Sequence, residues 1–212
     1  MIDDIHKLLD ALKLRHARSV VAEHIRSAQK QKTSYSAFLL ELLRRGHEGQ
    51  RDRAIASRLK QSGLAEYWTL ETFPFNLQKC VDKRLIDELA ELDFIDRGQS
   101  VVFIGQPAVG KSGLASGIMM KALYAGRRCR SITADKLFEE LGNSHADRST
   151  QRRIQRLARL DLLLIEEFGF ISPLEPRQVN AFFRLMDDRC NRRSTMISTN
   201  LGFSVMAIPF WL

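Results

Sequence analysis

The chain has 212 residues, 44% hydrophobic and 27% charged, with a net charge of +8 and a pI near 9.7. That composition suits a globular protein with room for one medium domain and a smaller one. It excludes a membrane span, since no apolar run is long enough, and the acidic start Met1-Ile2-Asp3-Asp4 is unlike a secretory signal.

Residues 1–72 are predicted to form a small all-helical N-terminal domain. Ile5, Leu8, Leu9 and Leu12 fall at helical spacing, and Val20, Val21 and Ile25 continue the pattern. Thr33-Ser34 offers a cap for the run that starts at Tyr35, and Gly46 and Gly49 punctuate its continuation. Thr72-Phe73-Pro74-Phe75-Asn76 breaks helix and reads as a linker. Beyond it, Val81, Leu85, Leu89 and Leu92 predict one amphipathic helix over 78–95. From there strands and helices alternate: strands at 101–104, 128–133, 161–165 and 195–199, helices at 114–123, 135–141, 151–160 and 177–190. That alternation predicts an α/β fold over 73–212, a parallel sheet flanked by helices on both faces. Cys80, Cys129 and Cys190 are scattered and lack C-x-x-C spacing, which fits core cysteines of a reduced, cytoplasmic protein.

The strand at 101–104 runs into Gly105-Gln106-Pro107-Ala108-Val109-Gly110-Lys111-Ser112, which fits G-x-x-x-x-G-K-[ST] and opens a helix. In such a phosphate-binding loop, successive backbone N–H groups point at one anion and the helix N-terminus adds partial positive charge. Lys111 is expected on the β- and γ-phosphates of ATP, and the Ser112 hydroxyl on a bound Mg²⁺. The bland alternative is a glycine turn between strand and helix.

Leu162-Leu163-Leu164-Ile165 ends in Glu166 and Glu167. Alone, an apolar strand followed by two acids usually marks a strand meeting solvent. Downstream of a P-loop it supplies what phosphoryl hydrolysis needs: a carboxylate on Mg²⁺ and another that orients or deprotonates water. Ligands gather at the carboxyl ends of parallel strands, so both acids should emerge beside the loop. Met196-Ile197-Ser198-Thr199-Asn200 adds a third strand end, where Asn200 is either a turn residue or an amide beside the γ-phosphate.

The basic excess is concentrated, with ten Lys or Arg against four Asp or Glu in residues 121–160. Arg152, Arg156 and Arg159 share a helix face, with Arg153 alongside. Together with Arg127, Arg128 and Arg130, and with Arg51, Arg53 and Arg58 near the N-terminal helices, they are candidates for sequence-independent contact with duplex DNA backbone. A solvated helix face is the competing reading.

These motifs together resemble the IstB-type ATPases, helpers of insertion-sequence transposases that share an AAA+ core with bacterial helicase loaders. The likeness runs from about Leu8 to about Ser204. It includes Ser34-Tyr35-Ser36-Ala37-Phe38-Leu39-Leu40, Leu92-Asp93-Phe94-Ile95, Leu162 to Gly169 and Ser198-Thr199-Asn200-Leu201. It implies an AAA+ protein that binds ATP and Mg²⁺ between subunits of a homo-oligomer, assembles on DNA and recruits a cognate transposase. By position it puts Glu166 on magnesium, Glu167 at the water-activating place and Asn200 at the sensor place. A helicase loader and a non-hydrolysing remnant that binds nucleotide or DNA are the alternatives.

Three departures from the family pattern stand out. Ala108 replaces a usual glycine, Glu166 replaces a usual aspartate and reaches about 1 Å further, and the end differs. After Ser204 the chain reads Val205 to Leu212, apolar and uncharged. The family continues there into a last strand and a helical lid with the arginine finger and second sensor, so the expectation is a truncated or frame-shifted copy whose lid is absent and whose turnover is impaired. A natural short variant is the other reading.

Overall fold

The computed structural model describes residues 1–78, 80–142, 148–169 and 174–201, the side chains of 148–150 excepted. The segment from Val205 to Leu212 lies outside these. The chain divides into two compact units, Met1–Ser57 and Arg58–Leu212.

The first unit is helical, as expected. Helix α1 spans Ile2–Ala11, α2 Arg15–Gln31 and α3 Tyr35–Gln61, whose last residues belong to the second unit. The Ser34 hydroxyl accepts from the Ala37 N–H at 3.3 Å, satisfying an orphan donor of the first turn. Leu9, Ala17, Val21 and Leu42 form the core, whereas Leu8 and Leu12 stay exposed. The two glycines do not end α3. They sit where α2 comes closest, and a Cβ on Gly49 would lie 2.3 Å from the His16 ring.

In the second unit, α4 (Lys83–Ala90) and α5 (Asp93–Asp96) replace the single helix expected over 78–95. Asp82 caps α4 by accepting from the Arg84 N–H at 2.9 Å, and Leu92 turns left-handed at φ 70° between the two. Burial of Leu92, Phe94 and Ile95 holds that break in place. Then follow β1 (Val101–Ile104), α6 (Lys111–Tyr124), β2 (Cys129–Thr133), α7 (Ala134–Gly142), α8 (Arg148–Ala158), β3 (Leu162–Glu166), α9 (Pro176–Arg189) and β4 (Ser194–Thr199). All pairings are parallel, in the order β1-β4-β3-β2. This is the expected α/β architecture.

The sheet is buried on both faces, and alternate residues of β3 serve different cores. Leu162 and Leu164 pack with α6 residues such as Ile118, Met119 and Leu123. Leu163 and Ile165 pack with Leu137, Phe138, Ile154, Leu157, Phe182 and Leu185 of α7, α8 and α9. The P-loop helix and the arginine-rich α8 therefore lie on opposite faces of the sheet.

Arg189 is fully buried without a carboxylate partner among the described residues. Its guanidinium donates to the carbonyls of Leu157, Leu160 and Ser194 and to Thr195 Oγ1, tying the end of α8 to β4. Burial, with the nearby Arg193 charge, brings its pKa down to about 10. Of the three cysteines only Cys129 is in the core; Cys80 and Cys190 are exposed, a departure from the expectation that follows from their places in a turn and at the end of α9.

Candidate nucleotide site

The parallel order fixes what meets at the carboxyl edge of the sheet. Because β4 lies between β1 and β3, the loop after β1, the residues after β4 and the acids ending β3 stand side by side. The Gly105 N–H donates to the Thr199 carbonyl at 3.3 Å, joining the loop to the end of β4.

The loop from Gly105 to Gly110 leads into α6, with Lys111 and Ser112 as its first two residues. Ala108 adopts φ 64° and Gly110 φ 88°. The left-handed region costs a residue with a Cβ about 1–2 kcal/mol, so Ala108 carries the strain that a glycine there would avoid. Gly110 needs its missing side chain twice over, since a Cβ would also lie 2.8 Å from the Phe73 ring. Lys111 Nζ donates to the carbonyls of Gly105 at 2.8 Å and Gln106 at 2.7 Å, which holds its ammonium over the loop. Partial burial lowers its pKa from the usual lysine value.

Glu166 is the last residue of β3, on the α6 face by strand alternation. Its Oε1 accepts from the Ser131 hydroxyl of β2 at 2.6 Å. A neighbouring strand thus steadies the carboxylate that is one methylene longer than the expected aspartate. Glu167 comes next with φ 58°, its N–H 3.4 Å from Ser198 Oγ. Asn200 comes directly after β4, and its Oδ1 is buried with no hydrogen-bond partner among the described residues. An orphaned buried amide oxygen at this edge is the kind of group a water or ligand completes.

The segment read as a linker is part of the site. Trp68, Phe73, Pro74 and Gln78 line one side of a cavity of about 350 Å³, and Ala108 and Gly110–Gly113 line the other. Phe73 is buried against the first turn of α6, Leu70 seats on Gly117, and the Ser116 hydroxyl donates to the Glu66 carbonyl at 2.9 Å. The aromatic cluster Tyr67, Trp68, Phe73 and Phe75 ahead of β1 was the available signal. No periodicity marks it, because these contacts are tertiary.

The arginines sort differently from expectation. Arg152 and Arg156 are exposed on α8, as is Arg159 just after it, while Arg153 donates to the Glu140 carbonyl at 3.1 Å. Arg127 pairs with Asp96, Arg128 with Asp161 and Arg130 with Glu140, and Arg58 donates to the Leu123 carbonyl. Acceptors brought close by the fold, invisible in a local charge count, occupy these four.

The family model for the IstB-like ATP binding protein matches residues 7–208. This chain belongs to that family. A relative named as an ATP-binding protein of insertion sequence IS21 in Pseudomonas aeruginosa is 32% identical over 95% of this chain and 76% of its own length. Another, of insertion sequence IS5376 in Geobacillus stearothermophilus, is 31% identical over 87% of this chain and 72% of its own. Among solved structures, AMPPCP-bound DnaA from Aquifex aeolicus superposes with a TM-score of 0.53 at 21% identity over 66% of this chain and 43% of that one. The crystal structure of DnaI does so with 0.50 at 18% identity over 65% and 74%. These two likenesses show the fold alone, a parallel α/β core of the kind described above.

Proposed function

We propose that this IstB-like chain binds ATP with Mg²⁺ and serves an insertion-sequence transposase as its nucleotide-dependent helper. The observation that carries the reading is the arrival, at one sheet edge, of the Gly105–Ser112 loop and the neighbouring strand ends that bear Glu166, Glu167 and Asn200, with a cavity of nucleotide scale lined by the loop and the start of α6. Loop N–H groups and Lys111 would take the β- and γ-phosphates, the ammonium exchanging two neutral carbonyls for anionic oxygens.

Ser112 and Glu166 offer hydroxyl and carboxylate oxygens, which suit Mg²⁺ with the rest of its shell from phosphate and water. A bound Mg²⁺ would offset the charge that builds on the phosphoryl group. Glu167 would orient the attacking water and take its proton, and the Asn200 amide would contact the γ-phosphate or that water. Arg152 and Arg156 would meet duplex DNA backbone on the opposite face, with Arg153 holding α8 against α7.

The helicase-loader reading has less support: the relatives above 30% identity are insertion-sequence proteins, and the DnaI likeness carries the fold only. The test is ATP binding and turnover by the purified chain, with Lys111→Ala as control, with and without duplex DNA. ATP binding that the variant loses is expected, and turnover reports whether the chain also hydrolyses. Binding without turnover would leave a non-hydrolysing remnant, and no binding would refute the site.

A further inference from the structure

We propose that Gln78 selects the base of the bound nucleotide, favouring adenine over guanine; this rests on the nucleotide site proposed for the Gly105–Ser112 loop. The cavity has lining of two chemical kinds. One is anion-binding, built from Lys111, Ser112 and the start of α6. The other is aromatic, built from Trp68 and Phe73 with Pro74, and offers flat apolar surface for a purine ring.

In the aromatic lining, the available hydrogen-bonding side chains reduce to one. The Trp68 indole N–H already donates to Glu66 Oε2 at 2.7 Å. Gln78 lines the cavity, and its side-chain amide has no hydrogen-bond partner among the described residues. The Gln78 backbone is held by its N–H to the Phe75 carbonyl at 3.3 Å, and Phe75 stacks edge-on against Phe73 with centroids 4.8 Å apart. The amide is therefore carried on the same packed segment that forms the aromatic wall.

A primary amide presents one donor and one acceptor side by side. Adenine presents the complement along its N6/N7 edge, an amino donor beside a ring acceptor, and the two pair bidentately. Guanine has O6 and N7 there, two acceptors, so one amide atom faces a like partner whichever way the amide turns. The amide thus separates the two purines without any charged group.

The experiment is calorimetric titration of the full chain with ATP and with GTP, both with Mg²⁺, for wild type, Gln78→Ala and Lys111→Ala. Wild type should bind ATP about tenfold or more tightly than GTP. Gln78→Ala should weaken ATP, leave GTP nearly unchanged and bring the ratio close to one. Lys111→Ala should weaken both nucleotides by the same factor and keep the ratio. A wild-type ratio near one, or a ratio that survives Gln78→Ala, overturns the role of Gln78 and leaves the phosphate site standing. Failure of wild type to bind either nucleotide overturns both.

Discussion

Asp161 shows how one side chain organises the start of the sheet. Its carboxylate accepts from the backbone N–H of Arg128 at 2.9 Å, from the Arg128 guanidinium and from Arg193 Nη1 at 2.7 Å, so it ties β2, β3 and the turn before β4 together. Burial pushes its pKa up, but the Arg128 hydrogen bonds and the charges of Arg128 and Arg193 outweigh that and hold it below the usual carboxylate value. As pH falls the unfolded chain takes up this proton first, so stability falls with pH. Asp161's share is complete above about pH 5 and disappears as pH drops past about 3.9 toward the folded value. Asp161→Asn should cost about 2 kcal/mol at pH 7. The gap to wild type should close as pH falls below about 4, read from urea midpoints at each pH. A gap that stays constant down to the acid end would mean that packing, not the charge, is what Asp161 supplies.

Helix α8 separates binding from holding within a single element. Its apolar side, Ile154 and Leu157, enters the core under β3, and Arg189 bonds carbonyls at its end. Arg152 and Arg156 are exposed, and Arg153 reaches α7. Each phosphate contact contributes a slope of about −0.9 in log affinity against log salt. Arg152→Ala with Arg156→Ala should therefore flatten the salt dependence of duplex binding by about two, at unchanged melting temperature. Arg153→Ala should instead destabilise the fold by about 1 kcal/mol, through the lost bond to Glu140. An unchanged slope in the double variant would return this face to plain solvation. The sequence made α8 legible because its apolar residues keep helical period, and it made β1 and β3 legible because strands covered on both faces read as continuous apolar runs. It also put Lys111 at the mouth of α6, Glu166 at the end of β3 and Asn200 just after β4. It missed the Trp68–Gln78 wall, since Phe73 is buried by contact with Gly110, far along the chain, and Pro74 signals only the absence of helix. It likewise missed Ser131, an ordinary strand serine until β2 is set beside β3.

At the scale of the whole molecule the two compact units have separate cores, and their sizes differ. The first relies on Leu9, Ala17, Val21 and Leu42, while the second has an apolar layer on each side of its sheet. A chain with two cores need not unfold in one step, so calorimetry should resolve two transitions. Every residue assigned to nucleotide, from Trp68 to Asn200, belongs to the second unit. A ligand that binds only the folded form stabilises by about 2.7 kcal/mol at about a hundred times its Kd. For a domain of this size that is a rise of roughly 5–10 °C in the transition of the second unit. Removing Mg²⁺ with EDTA should reduce the rise, because the γ-phosphate then loses the charge that Ser112 and Glu166 help to place. Lys111→Ala should abolish most of it while leaving the melting temperature without ATP close to wild type, since among the described residues the ammonium bonds only loop carbonyls. If ATP leaves the second unit's transition where it was in the wild-type chain, the cradle between β1 and α6 does not hold nucleotide.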